Sequence, residues 1–272
     1  MPATKDPDTK DSATEHSGND KGSDAQLGTY VYGIIPSDVE FTEEMTGVGD
    51  PPAQVEVLRE GDIAALASEV RVDRPLGTPQ DLMAHEQVLD TAAAVAPVLP
   101  MRFGAVLTDT EAVSQDLLRP HGEEFRAALA ELEGRAQFVA KARYVGDAIL
   151  REVLQESGEA RSLRDAIREG TEDETREQRV QLGELIGKAI AKKRESDTQV
   201  AVKRLEPCCE SMSVREPSHE DDAVHLALLV KTDRQEELEG AMTELQQKWE
   251  GRAAVRLLGP MAPYDFVVTQ KG

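Results

Sequence analysis

The chain has 272 residues, 39% of them apolar, enough for one large core or two small ones. Its formal net charge of −21 repels phosphate backbones and anionic headgroups, so neither nucleic acid nor a membrane surface is an expected partner. No run of about 18 apolar residues occurs, so no segment is expected to cross a membrane.

Residues 1–26 hold Pro2, Pro7 and six acids against three lysines, and their apolar content is Met1 and three alanines. Such a segment buries too little surface to offset its ordering entropy and reads as a disordered acidic tail. It also lacks the apolar stretch of a signal peptide. Order is expected from TYVYGII (Thr29–Ile35), a β-rich run stopped by Pro36. AQVEVLRE and GDIAALASEV flank Glu60-Gly61 and predict a hairpin. Thr78, Pro79 and Asp81 predict a helix start with a capping box, running to about Val95. APVLPMRFGAVL is short and apolar, and Pro100 restricts it to an edge strand or an irregular crossing. Thr108 with Glu111 predicts a second box, and Phe125, Ala128, Leu129 and Leu132 a further helix after Pro120, ending at Gly134.

QFVAKARY (Gln137–Tyr144) alternates as a half-buried strand. Helical pattern then runs from Asp147 to about Ser196, interrupted near Gly158 and Gly170. Its last helix is predicted to open on Thr171 and Glu174 and to bury Val180, Leu182, Leu185, Ile186, Ala189 and Ile190, with Lys192–Arg194 near its end. VAVKRLEPCCESMSV reads as strand material broken by Pro207, AVHLALLVK as a clear strand, and Asp233 as the cap of a helix carrying Leu238, Ala241, Met242, Leu245 and Trp249. AAVRLLG is the last strand. The order β, helices, β, β, α, β is the split βαβ pattern of a ferredoxin-like domain. The expected class is therefore α+β, with two domains: residues 27–135, and a ferredoxin-like domain over 136–260 with a helical insertion at about 147–197. A C-terminal tail, 261–272, follows.

The search for chemistry finds little. His85-Glu86 begins a metalloprotease HExxH, but Leu89 stands where the second histidine belongs, so His85 reads as a hydrogen-bonded core or boundary residue. The other histidines share no metal-ligand spacing, and adjacent Cys208 and Cys209 lack the CxxC pattern and read as reduced thiols at a strand end. No Walker, GxGxxG or GxSxG motif occurs. Arg102, inside an apolar run, is expected to reach solvent or pair with Glu86 or Asp90. No cofactor, metal or catalytic group is expected. The competing expectation, a small-ligand or enzymatic module, would rest on His85, Glu86 and Arg102.

Three blocks in order, TYVYGII, HEQVLDTAAAVAPVLPMRFGAVL, and HLALLV followed by GPMAPYDFV, resemble the GvpL/GvpF family of gas vesicle proteins. The middle block is similar to the family's His-Glu-x-Val-Leu helix and Val-Leu-Pro-x-Arg-Phe-Gly segment, which covers His85, Glu86, Arg102 and Phe103. The last is similar to its Gly-Pro-x-Pro-Pro-Tyr-x-Phe signature, covering Pro260, Pro263, Tyr264 and Phe266. Ala262 departs from the first of the paired prolines, and Met261 replaces a common tryptophan. The resemblance implies a two-domain α+β accessory protein of gas vesicle formation in the prokaryotic cytoplasm. It implies contacts with the small hydrophobic shell protein and other vesicle proteins, during assembly or as a minor component of the vesicle, and no enzymatic activity. Pro260 and Pro263 stiffen the end of the chain and are not expected to extend a sheet. Phe266 is expected to seal the core or the domain junction, with Tyr264 at an interface.

Overall fold

The computed structural model describes residues 26–267. The acidic tail read over 1–26 lies outside these residues apart from Gln26. Among the described residues nine strands and seven α-helices fall in chain order as β1 (Leu27–Pro36), β2 (Glu56–Glu60), β3 (Ile63–Arg71), α1 (Pro79–Ala93), β4 (Leu99–Pro100), β5 (Val106–Leu107), α2 (Thr110–Ala112), α3 (Arg119–Leu132), β6 (Arg135–Tyr144), α4 (Ala148–Glu156), α5 (Gly158–Glu169), α6 (Arg176–Leu205), β7 (Ser211–Val214), β8 (Asp222–Lys231), α7 (Gln235–Lys248) and β9 (Ala253–Met261). The class is α+β.

Two antiparallel sheets organise the chain. The first runs β2-β3-β1-β4, with β5 also on β1, and the second runs β7-β8-β6-β9. β1 is buried on both faces. Tyr30, Tyr32 and Ile35 face a core closed by Val88 and Leu89 of α1 and by Val48 and Val55. Val31 and Ile34 face a second core with Val113, Leu118, Leu129 and Leu132. A register shift between Val31 and Gly33 against β3 lets both tyrosines and Ile35 share one face. Gly33 sits where a Cβ would stand 2.7 Å from Leu89 Cδ2 and 2.8 Å from the Leu99 carbonyl, so only glycine lets α1 and β4 approach this closely. In the second sheet Phe138, Ala140, Ala142, Val224, Leu226 and Leu228 pack beneath α6 and α7 with Ala201, Leu205, Leu238, Leu245 and Trp249. The two halves are in contact: Leu229 of β8 belongs to the same core as Val31 and Leu99.

Several local expectations are corrected. The helix after β5 is capped by Asp109, whose carboxylate accepts the Ala112 N–H at 2.8 Å, not by Thr108. Pro120 does not break it: a π-helical turn, Val113–Leu118, leads straight into α3, and Pro120 stands in the first turn of α3, where a missing N–H costs nothing. Thr171 and Glu174 do bond to each other, but α6 begins only at Arg176. α6 continues past Ser196 to Leu205, so Val200–Leu205 is helix rather than strand, and Lys192–Arg194 lie mid-helix. Its fully buried residues are Asp197, Ala201 and Leu205, while Val180 is 57% exposed. Cys208 and Cys209 are free thiols in the short turn after α6, and burial followed by the neighbouring Cys208 pushes the Cys209 thiol up to about 11. Asp233 lies in a 3-10 turn and makes no capping bond to α7. Pro260 does lie in a strand: β9 reaches Met261, opposite Gln137, by bulging at Gly259 and Pro260.

Candidate functional site at the junction of the two sheets

The family-like blocks meet in space. An open cleft of about 530 Å³ is lined by Leu82, His85 and Glu86 of α1, by Pro100, Met101, Arg102 and Phe103, and by Arg215, Tyr264 and Val267. Its α1 wall is set by the capping box, in which Thr78 accepts the Asp81 N–H at 3.2 Å. The Asp81 carboxylate accepts N–H groups from Gly49, Gly77 and Thr78. Burial opposes that charge, but these hydrogen bonds outweigh it and hold the Asp81 carboxyl below its ordinary range. The Gly47-Val48-Gly49 loop is thereby a structural tie, its Val48 N–H donating to Tyr32 Oη at 2.7 Å.

Beneath the cleft lies an aromatic cluster. His85 is 3% exposed and its Nδ1 stands 2.9 Å from Tyr30 Oη, which also accepts the Gly104 N–H at 3.0 Å. The backbone contact of the His85 ring at Met101 calls for a ring N–H there, which leaves Nδ1 to accept from the Tyr30 hydroxyl. The ring stacks on Tyr32 at 5.8 Å and meets Phe103 edge-on at 5.6 Å. Burial holds the His85 pKa below its ordinary value, against a backbone contact at Met101 that favours the charged form. His85 is thus a neutral tie between α1, β1 and the 101–104 segment.

Above this cluster the polar groups differ in kind. Glu86 and Arg102 are exposed; of the two outcomes expected for Arg102 it takes the first, reaching solvent, and among the described residues it forms no ion pair with Glu86 or Asp90. Arg102 sits in the open turn before Gly104, its backbone carbonyl accepting the Ala105 N–H at 3.2 Å. Asp90 instead accepts the Ala262 N–H at 3.3 Å, and its carboxyl is raised by burial and by Glu86 despite that bond. Tyr264 is 38% exposed, its hydroxyl pKa raised by burial and by the charges of Asp90 and Glu86.

The C-terminal segment builds the remaining wall. Gly259 has φ +118°, and a Cβ there would stand 2.8 Å from the Gln137 carbonyl oxygen. Ala262 is fully buried in the core beneath α1, and Phe266 and Val267 pack on the core shared by both sheets. Asp265 takes a two-pronged ion pair from Arg215, with Nε–Oδ1 at 2.8 Å, and its N–H donates to Gln137 Oε1 at 3.0 Å. Of the residues singled out in the sequence, His85, Glu86, Arg102, Phe103 and Tyr264 line this one cleft, whereas Pro260 lies in β9 and Phe266 points into the shared core. Arg215 was not anticipated; its only sequence signal is a lone cation after a short strand.

A second groove, of about 600 Å³, lies at the start of α1, but its arginines are engaged, Arg71 with Asp73 and Arg74 with Asp50. Among the described residues no group of three or more His, Cys, Asp or Glu is placed to hold a metal ion, and no helix is long and apolar enough to cross a membrane.

Residues 28–268 match the family described as Gas vesicle synthesis protein GvpL/GvpF. Gas vesicle protein F of Streptomyces sp. (strain CB03234) is 36% identical, the alignment covering 89% of this chain and all of that one. Gas vesicle protein F of Dolichospermum flosaquae is 27% identical over 87% of this chain and 96% of its own length. Among solved structures, the crystal structure of the gas vesicle protein GvpF from Anabaena sp. PCC7120 superposes with a TM-score of 0.71 at 26% identity, over 88% of this chain and 97% of that one. The match runs through both sheets and all three motif blocks, and the chain belongs to the GvpL/GvpF family of gas vesicle synthesis proteins.

Proposed function

We propose that this protein is an accessory factor of gas vesicle formation that works by protein contacts with the vesicle shell protein and other vesicle proteins in the cytoplasm, using the junction cleft as a contact surface. The observation that carries the reading is the convergence of two family-like blocks, about 160 residues apart in the chain, on one open cleft. The cleft offers Leu82, Phe103 and Tyr264 as apolar contact beside the solvated charges of Glu86 and Arg102, a mixture suited to a protein partner. A small-ligand or catalytic site is less well supported, because His85 lies under the cleft with its Nδ1 held by Tyr30.

The strand order β9-β6-β8-β7, all antiparallel, corresponds to order 4-1-3-2 within the second half and supports reading residues 136–260 as a ferredoxin-like domain with α4 and α5 inserted. The domain boundary near residue 135 is part of this proposal. The relatives compared above are F proteins, which favours the F type.

The test is flotation. Cells making a vesicle gene cluster with this gene deleted are expected to yield few buoyant vesicles, and Tyr264→Ala with Arg102→Glu to reproduce part of the defect. Normal vesicles from the deletion strain, with no vesicle protein retained by the purified chain, would sink the proposal. Blotting the floated fraction after a urea wash separates a resident component from a factor that leaves.

A further inference from the structure

The face of the second sheet turned away from α6 and α7 carries a row of basic side chains. Phe138, Ala140 and Ala142 of β6 point toward the helices, so Gln137, Val139, Lys141 and Arg143 point the other way. The pairing register sets Arg256 of β9 directly opposite Lys141, and His225 of β8 opposite Lys141 on the other side. Arg215 continues the row, its N–H donating to the His225 carbonyl at 2.9 Å. Three neighbouring strand positions and Arg215, just past the end of β7, thus carry Arg, Lys, His and Arg on a chain with 52 acids and 31 Lys and Arg.

Most charges on this face have charged or backbone partners; among the described residues Lys141 and Arg256 have no ion pair. Arg215 is held by Asp265, and Arg143, one step along β6, by the buried Asp222 at 3.1 Å. His225 Nδ1 donates to the Glu216 carbonyl at 3.0 Å; burial, then Lys141 and Arg215, lower its pKa. Lys141 bonds only to the neutral Ser218 hydroxyl, at 3.2 Å, and Arg256 is exposed and forms no ion pair among the described residues. Like charges directly opposite on adjacent strands destabilise a sheet. Among the described residues no carboxylate forms an ion pair with Lys141 or Arg256. Beside them Leu258, 45% exposed, stands opposite Val139 on the same face.

We propose that this row is a docking strip for an acidic α-helix of a partner protein, which lays carboxylates across the strands onto Arg256 and Lys141 and an apolar side chain onto Leu258. Charge complementarity selects the sign of the partner. Spacing selects its form: adjacent strands are about 4.8 Å apart, and side chains at i, i+3 and i+4 on a helix are about 5–6 Å apart. Alternate side chains of an extended strand lie roughly 6.7 Å apart and fall out of step with the row. A long polyanion such as nucleic acid would extend beyond the row onto a chain whose net charge is −21. The strip meets the junction cleft at Arg215, but its two exposed cations, Lys141 and Arg256, are not among the residues that line the cleft, so the two contacts can be tested apart.

The experiment is fluorescence anisotropy with the full-length purified protein and three labelled probes. These are an alanine-based helical peptide with glutamates at i, i+4, i+7 and i+11, an isomer with the same glutamates scattered round the helix, and an oligothymidylate. The stripe-bearing peptide is expected to bind saturably, more tightly than its isomer, and more weakly as salt rises. Lys141→Glu with Arg256→Glu is expected to weaken it by about tenfold, as two lost surface pairs imply. No saturable binding, equal binding of the isomer, or no effect of the charge reversal overturns the proposal. Tighter binding of the oligothymidylate, or of a peptide of residues 1–25 supplied in trans, also overturns it, by naming a different occupant. A fold control uses Lys141→Gln and Arg256→Gln, which relieve repulsion. Their melting temperatures are expected to hold or rise, and a fall of more than about 3 °C would show that these charges serve the fold instead.

Discussion

Replacing Gly259 by alanine tests whether the C-terminal segment is held by its backbone path. At φ +118° a non-glycine residue is strained by about 1–3 kcal/mol. The new Cβ would also stand 2.8 Å from the Gln137 carbonyl oxygen and 3.2 Å from Phe138 Cα, both backbone atoms of the central strand β6, which cannot turn aside. Overpacking of this kind costs roughly 1–3 kcal/mol more. Gly259→Ala is therefore expected to lose about 2–6 kcal/mol in all. Gly251 supplies the matched control: its φ is +71°, but a Cβ there meets nothing within 4 Å, so Gly251→Ala carries only the backbone strain, about 1–2 kcal/mol. Urea unfolding followed by the fluorescence of Trp249, the sole tryptophan and 5% exposed in the core of the second sheet, measures both. Equal losses within about 0.5 kcal/mol would refute the reasoning, because the close approach to β6 would then have no energetic consequence.

Three further outcomes are expected. Burial opposes the charge of Asp222, but hydrogen bonds from Ser218, Arg143 and His219 prevail and bring its pKa from the ordinary 3.8 to about 2. A depressed carboxyl stabilises above its unfolded pKa and loses that contribution as pH falls through the folded one, so roughly 2 kcal/mol should fade between about pH 4 and pH 2; Asp222→Asn should flatten that stretch of the stability curve, and an unchanged slope would contradict it. Arg252 donates to Asp197 at 2.9 Å and to Glu152 at 2.7 Å, while Asp197 also accepts from Tyr144 and Glu152 from Lys193; Arg252→Leu leaves each carboxylate with one partner fewer and should cost about 1.5–3 kcal/mol in urea unfolding, with a loss below 1 kcal/mol counting against it. Tyr30→Phe leaves the Gly104 N–H and His85 Nδ1 without a partner and should cost about 1–3 kcal/mol, whereas a loss near zero would mean water replaces the hydroxyl.

What the sequence made legible was local or periodic. The Thr78 and Asp81 box was readable because both partners lie within one turn, and β8 because its alternation spans a whole strand. Pro120 misled because a proline in the first turn of α3 and one that ends a helix look the same until the preceding turn is seen to be π-helical. Val200–Leu205 misled because a β-branched run can be helical when its stripe is buried: Asp197, Ala201 and Leu205 stand at i, i+4 and i+8, a period visible in the sequence but outweighed by local propensity. The partners of Asp197, Tyr144 and Arg252, lie more than fifty residues away in either direction, and no short-range pattern announces a buried ion network of that reach. The candidate site divides in the same way. His85, Glu86, Arg102 and Phe103 sit close together in sequence, but that Tyr264 and Arg215 join them follows only from the fold.

The stiffness of the chain's end follows from the number of places it must reach in a few residues. β9 belongs to the second sheet, yet Ala262, one residue past it, is buried in the core under α1 of the first. Asp265 then turns back to Arg215 beside β7, and Phe266 and Val267 enter the core that both sheets share. Each change of direction occurs within one or two residues, a path that a flexible segment would follow only at a large entropic cost. Glycine at 259 allows the first turn, and the fixed φ of Pro260 and Pro263 removes freedom before folding. The same residues that close the junction leave Tyr264 as the one large side chain of the segment facing the cleft. The geometry of the proposed contact surface is therefore coupled to the packing of both halves: a partner that holds Tyr264 in place also holds the two sheets together.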